Sequence, residues 1–499
     1  MSKNYIGQKG YTIYKDEISN DISKFIESEL TVKPFVPKAM TMQKTPSFTI
    51  YRESSSRYYL PKFFGIENFN IVDSKLPKGR EINVKFNGNL RDYQNRIVSK
   101  YINYVKTKYE NIGGGCLEID TGMGKTVMAI DIISKMCVKT IILVHKEFLM
   151  NQWIERIAEF LPEAKVGKLQ GKIIDVEGND IVIAMIQSLS MKEYDSNIFK
   201  DFGFMIIDEV HHMGAEVFSN SLCKVVTPYT LGLSATMERK DGLSKVFKMF
   251  LGETIHVEKR DTSQQTVLVK TLQYKVDDDD FNDVKYDFRG NTQISTMITK
   301  LCNYNNRSEF ILSFIKHTLL ENKEQQIMIL AHNKSLLKYL YEAIEHRKIA
   351  NGSVGYYVGG MKEKDLKISE TKQIVIATYS MAAEGLDIKT LTTLVLATPK
   401  TDVIQAVGRI LRAKHKQPVV IDVVDNHEVF QRQYQKRKTF YRKQKYKIIE
   451  TSNDNKNFDE ALWKVTYDPN KKRTKSNKGD NLYDDEDEKI SDDKCLIEL

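Results

Sequence analysis

The sequence predicts an α/β protein made of two tandem parallel-sheet domains, with a small β-containing or mixed unit in front and a basic extension behind. Three observations predict it. Unbroken apolar runs such as TIILV (140–144), DIVIAMI (180–186) and FMIIDE (204–209) have the length and β-branched content of buried parallel strands. The spans between them leave room for crossover helices. The alternation then restarts with QIMILAHN (326–333), QIVIATYS (373–380), TLVLAT (393–398) and PVVIDVVD (418–425).

A chain of 499 residues, 41% hydrophobic and 28% charged, holds two cores plus extensions. Residues 1–86, rich in tyrosine, phenylalanine and short turns, form the expected accessory domain. Residues 87–257 are the first α/β domain and 258–300, with the polar stretch VDDDDFNDVKYD, a linker or surface excursion. Residues 301–428 are the second α/β domain. Residues 429–499 are read as a basic helix and then a disordered tail carrying the acidic block DDEDE (484–488).

No stretch approaches eighteen consecutive apolar residues, and the opening residues lack the apolar region of a secretory signal, so no membrane partner is expected. Cys116, Cys137, Cys223, Cys302 and Cys495 form no CxxC pair, which argues against a disulfide framework or a zinc site and for a reducing, intracellular compartment. The formal charge of +9 favours a polyanionic partner, though weakly.

The sharpest local signal is DTGMGKT, 120–126, between the strand-like GCLEI and the helix-like VMAIDIISKM. A turn of this kind (Thr121, Gly122, Met123, Gly124) aims backbone N–H groups and a helix N-terminus at phosphates. Lys125 is placed to reach the β- and γ-phosphates of ATP, and the Thr126 hydroxyl to ligate Mg2+. Ile119 stands where the full phosphate-loop pattern has a leading glycine; an ordinary glycine turn is the bland alternative. Downstream, IIDEVHH (206–212) ends an apolar strand in two carboxylates, which is costly unless a cation meets them or they sit at an exposed strand tip. Asp208 is the natural metal partner and Glu209 the group to polarise an attacking water. His211 is read as a sensor of nucleotide state, or as a bridge to the next motif, rather than a zinc ligand.

The ordered set LRDYQ (90–94), DTGMGKT, LVHKEFLMNQW (143–153), DEVHH (208–212), GLSATMERKDG (232–242), MILAHN (328–333), IATYSMAAEGLDI (376–388) and QAVGRILR (405–412) resembles a superfamily 2 helicase of the DEVH-box kind. Within that superfamily it is most similar to the group around the repair and transcription helicase XPB, phage recombination helicases and the poxvirus transcript-release helicase. The Lys/Asn/Tyr-rich composition suits a large DNA virus, with the host cytoplasm or virion as its setting. The resemblance implies two RecA-like domains closing on one nucleotide. It implies that Gln94, with Arg91 nearby, reads the adenine edge, and that Ser234 and Thr236 couple hydrolysis to domain movement. Thr378, Gly385 and Asp387 would link the nucleic-acid track to the nucleotide, and Gln405, Arg409 and Arg412 would face the triphosphate across the cleft. Residues 239–241 (RKD) stand where XPB-like proteins carry an Arg-Glu-Asp element, with lysine at the middle position here, so the same strand-separating role is not inferred.

The arginine assignment also has a physical basis. Positions 405, 409 and 412, spaced four and three apart, share a helical face, and two guanidinium groups entering a common cleft would suit a γ-phosphate. A polar face bridging to the first domain is the bland alternative. Lys146, by position, and the Gly359–Gly360 turn are the candidates for gripping a polynucleotide backbone. The segment 431–447, with eight Lys/Arg and interleaved aromatics, is read as a nucleic-acid contact, as a contact for an acidic protein, or as a solvated basic helix. The expected function is ATP-driven translocation on DNA in viral transcription, repair or recombination, with transcription or repair machinery as possible partners. An RNA helicase, a duplex-DNA translocase without strand separation and a non-catalytic scaffold are the alternatives.

Overall fold

The computed structural model describes residues 4–33, 47–70, 73–109, 111–212, 215–238, 242–260, 267–384, 388–413 and 415–471. Two eight-stranded sheets dominate. The first runs, edge to edge, through Ile173–Ile174, Val166–Gln170, Ile181–Met185, Thr140–Val144, Phe204–Ile207, Tyr229–Ser234, Gly113–Ile119 and Thr254–Glu258. All pairs are parallel except the short outer one. Every residue of Thr140–Val144 and Phe204–Ile207 is buried, as strands covered on both faces require. One covering helix, Glu147–Phe160, buries Leu149, Met150, Trp153 and Ile157, a single face at helical spacing.

The second sheet has the order Val354–Tyr357, Ile374–Thr378, Gln326–Ala331, Leu391–Leu396, Val419–Asp425, Leu268–Tyr274, Lys447–Ser452 and Lys464–Tyr467. It is parallel but for the final pair. This order changes two expectations. Leu268–Tyr274, within the supposed linker, is an interior strand, and Lys447–Ser452 and Lys464–Tyr467, within the supposed tail, extend the same sheet. Polar residues break the apolar runs of these strands. Lys270 leans out to Glu321 at 2.7 Å, Gln273 pairs with Glu450 at 2.8 Å, and the buried Thr271 hydroxyl meets Tyr434 at 3.0 Å.

The N-terminal unit is a small antiparallel sheet, with Tyr5–Gly7, Gly10–Tyr14, Arg57–Leu60 and Arg52–Glu53 in that order. Its described core is continuous with that of the first domain: Ile6, Tyr11 and Phe63 belong to the same buried cluster as Phe218 and Leu251. The fully buried amine of Lys62 donates to the carbonyls of Thr227 and Pro228 at 2.9 Å each. Burial pushes that amine down to about 7. Among the described residues no helix is long and apolar enough to cross a membrane.

Candidate nucleotide site and nucleic-acid track

Parallel sheets gather function at the carboxyl ends of their strands. Strand Gly113–Ile119 leads into the turn 120–124, where Gly122 (φ +80°) and Gly124 (φ +87°) adopt left-handed backbone. Gly124 caps helix Lys125–Met136, so the turn and the helix N-terminus share one anion-binding geometry. Lys125 is 8% exposed, with Nζ 3.3 Å from the Ile119 carbonyl and 3.6 Å from Glu209 Oε1. Thr126 occupies the first turn of the same helix.

Gln94 braces this turn. Its Nε2 donates to Met123 O at 3.0 Å, Tyr93 OH donates to the same carbonyl at 2.9 Å, and its Oε1 accepts the Arg91 N–H at 2.9 Å. Both ends of its amide are engaged with backbone, and Arg91 stands at the start of helix Asp92–Thr107.

Strand Phe204–Ile207 delivers Asp208, 6% exposed. Its Oδ1 accepts the Glu209 N–H at 3.0 Å and its Oδ2 accepts the indole N–H of Trp153 at 2.9 Å. Burial, and then the neighbouring Glu209 charge, push its carboxyl up to about 6, with Lys125 opposing. Glu209 sits in left-handed backbone at φ +49°, a conformation costing roughly 1–2 kcal/mol for a non-glycine residue. It sets the Glu209 carboxylate between Lys125 and His211, whose Nδ1 is 3.4 Å from Oε2. A buried carboxylate held away from its ionised form suits a cation, and the oxygen donors of Asp208 and Thr126 suit Mg2+. Among the described residues no group of three or more His, Cys, Asp or Glu is placed to cage a metal. Phosphate and water oxygens would complete the shell, as Mg2+ favours.

His211 joins the two domains. Its Nδ1 lies 2.7 Å from Ser234 Oγ and its Nε2 lies 3.2 Å from Gln405 Nε2. Ser234 Oγ also donates to Thr236 O and accepts the Thr236 N–H at 3.2 Å. This pattern assigns the proton to Nδ1, with Nε2 accepting from the Gln405 amide. The 405–412 segment begins as helix Ile404–Val407 and tightens into the 3-10 turn Gly408–Leu411. It rests on the phosphate turn: a Cβ on Gly408 would lie 3.6 Å from Thr121 Cβ, and one on Gly122 would lie 3.3 Å from Arg412 Cγ. Arg409 is 4% exposed.

Two residues entered the site unannounced. Arg260 donates to the carbonyls of Leu411 and, at 3.2 Å, Thr121, while its N–H donates to Asp120 Oδ2 at 2.9 Å. It spans the same domain junction from just beyond strand Thr254–Glu258, where no motif marks it. Trp153 lies inside LVHKEFLMNQW, and a tryptophan on the buried face of a helix, needing an acceptor for its N–H, was the available signal.

The proposed track residues separate into two groups. Lys146 is the N-cap of helix Glu147–Phe160, its amine held below the ordinary lysine range by burial. Gly359 and Gly360 (φ +91°) form an open turn beyond strand Val354–Tyr357, and Thr378 ends the adjacent strand, its hydroxyl 3.2 Å from Ser380 Oγ. The helices that follow Lys146 and the glycine turn meet across the cleft, Lys367 pairing with Glu155 and Asn151 lying 3.5 Å from Glu363. Gly385, Asp387 and residues 239–241 lie outside the described residues. Within the basic segment, helix Glu428–Lys443 buries Tyr434 and Tyr441 and leaves Phe440 partly buried, and Arg437 is bound to Asp422 at 2.8 Å in the interior.

Two parallel-sheet domains meeting over one phosphate turn, with an acidic strand end on one side and an arginine-bearing turn on the other, define a nucleotide-driven motor. Residues 87–239 match the family described as type III restriction enzyme, res subunit, and residues 309–414 match the helicase conserved C-terminal domain. A protein of Acanthamoeba polyphaga mimivirus named as an ATP-dependent RNA helicase is 37% identical over 460 residues, spanning 89% of this chain and 86% of its own. A protein of invertebrate iridescent virus 6 named as a helicase is 28% identical over 443 residues (85% of this chain, 96% of its own). A protein of African swine fever virus named as an ATP-dependent RNA helicase is 26% identical over 481 residues (89% and 91%). The chain belongs to this superfamily 2 helicase family of large DNA viruses; it is an ATP-driven helicase with two RecA-like domains, and it binds nucleic acid.

Proposed function

We propose that the chain couples ATP hydrolysis to translocation on DNA, in viral transcription termination or transcript release, repair or recombination. The observation that carries coupled movement is the Gln405–His211–Ser234 chain, which ties the second domain to the acidic strand end of the first. Lys125 and the turn N–H groups hold the triphosphate, and Arg409 and Arg412 donate to its terminal phosphate from across the cleft. Glu209 orients the attacking water and accepts its proton. Mg2+, held by Asp208 and Thr126, would neutralise charge on the β- and γ-phosphate oxygens. Hydrolysis removes the anion that draws the two domains together, and the altered spacing moves the grip of Lys146 relative to that of Gly359, Gly360 and Thr378.

The lean toward DNA rests on the motif set shared with the recombination and transcript-release group. The names of the mimivirus and African swine fever virus relatives favour an RNA substrate as the second reading. Steady-state ATP hydrolysis with no polymer, single-stranded DNA, duplex DNA or RNA, beside the Glu209→Gln variant, decides between them. Stimulation by DNA that the variant loses supports the proposal. Stimulation by RNA alone replaces it with the RNA reading, and indifference to every polymer refutes coupling.

A further inference from the structure

The Asp208 carboxylate is gripped at both oxygens, by its neighbour's N–H on one side and by Trp153 on the other. Trp153 comes from a different element, helix Glu147–Phe160, and is 1% exposed. A buried indole N–H requires an acceptor, and the acceptor here is the acid rather than a nearby carbonyl. A backbone N–H alone leaves a carboxylate free to turn about its last torsion; a second donor from a packed helix fixes its plane. The helix that supplies this donor starts at Lys146, on the edge assigned to the polynucleotide, and touches the second domain through Asn151 and Glu155.

We propose that Trp153 is a positioning residue that fixes the Asp208 carboxylate for the divalent cation accompanying the nucleotide, and joins that carboxylate to the helix beginning on the nucleic-acid track. The inference rests on the reading of Asp208 as the metal-facing acid. Outer-shell donors of this kind change metal affinity by about 10–100-fold when removed. A phenylalanine keeps the packing and removes only the N–H, which separates positioning from mere filling of space.

The test is a Mg2+ titration of fluorescent-ADP binding to the full chain and to Trp153→Phe, with EDTA controls and thermal unfolding of both. The expected result is equal affinity in EDTA and an Mg2+ requirement raised about tenfold in the variant. An unchanged Mg2+ requirement overturns the role of Trp153. A wild-type protein indifferent to Mg2+ instead overturns the reading of Asp208 on which it rests. The chain has two tryptophans, so Trp463→Phe leaves Trp153 as the single indole, with no loss at the site. In that protein, Trp153 emission changes when Mg2+ joins the ADP complex if the inference holds. Emission that ignores Mg2+ overturns it, even if Trp153→Phe fails to fold.

Discussion

Gln405 of the second domain and His211 of the first meet with their side-chain nitrogens 3.2 Å apart, and the other face of the same imidazole rests on Ser234. A proton fixed on Nδ1 makes the ring a directional link between three motifs scattered along the chain.

Gln405→Ala removes the donor and leaves the phosphate turn untouched. A hydrogen bond of this kind is worth about 0.5–1.5 kcal/mol, so polymer-stimulated ATP hydrolysis should fall roughly two- to thirteenfold. Nucleotide affinity, measured by direct binding, should stay within about twofold.

Arg409 is a buried cation, and in the proposed mechanism it donates to the terminal phosphate. Its replacement by alanine should lower kcat by about 10³-fold or more, the range found for arginines that stabilise phosphoryl transfer. Lysine should not restore the rate, because it lacks the planar fork. Single-turnover hydrolysis separates this loss from any change in KM.

Gly124→Ala puts a side chain into left-handed backbone with its Cβ 2.3 Å from Gln94 Nε2. The backbone cost alone is roughly 1–2 kcal/mol, and the turn must also shed its brace on Met123. Calorimetry should show a lower Tm, and nucleotide binding should be lost. Gly359→Ala, in open space with no left-handed requirement, should show neither effect.

Asp208 gives a pH signature of the metal-free protein. Its carboxyl is raised from 3.8 to about 6, so the folded state holds this proton more tightly than the unfolded state does. Stability from this group is greatest below about pH 4 and falls as pH rises to about 6, with the cost complete above that. Asp208→Asn removes the titrating group, so the Tm of the nucleotide-free protein should lose its fall between about pH 4 and 6, while hydrolysis is abolished. Its amide NH2 meets one of the two N–H donors, so a constant loss of about 1–3 kcal/mol accompanies the flattened profile. Unfolding followed across pH 4–8 checks the sign.

Much of this was legible because motif and strand coincide. TIILV and the FMII of FMIIDE are buried throughout since both faces are covered, and each hands its functional residue to the carboxyl edge of the sheet. Leu268–Tyr274 was not legible because Lys270, Thr271 and Gln273 interrupt its apolar pattern, and their partners, Glu321, Tyr434 and Glu450, lie far away in sequence. Arg437 looked like a free cation in a basic run, and only tertiary structure supplies its partner, Asp422. Arg260 and Trp153 follow the same rule: each acts on a group that folding, rather than spacing, brings near.

The placement of Leu268–Tyr274 between Val419–Asp425 and Lys447–Ser452 governs the order in which the protein can be made. A chain leaving the ribosome completes its first sheet once Thr254–Glu258 has emerged, and that half can condense while synthesis continues. The next strand to appear must then wait, both edges unpaired, until Val419–Asp425 has emerged, and its second edge waits for Lys447–Ser452. Closing so long a loop is slow, so the nascent second half spends its synthesis time as an open edge. Premature termination between Tyr274 and Val419 leaves a finished first sheet attached to an aggregation-prone strand.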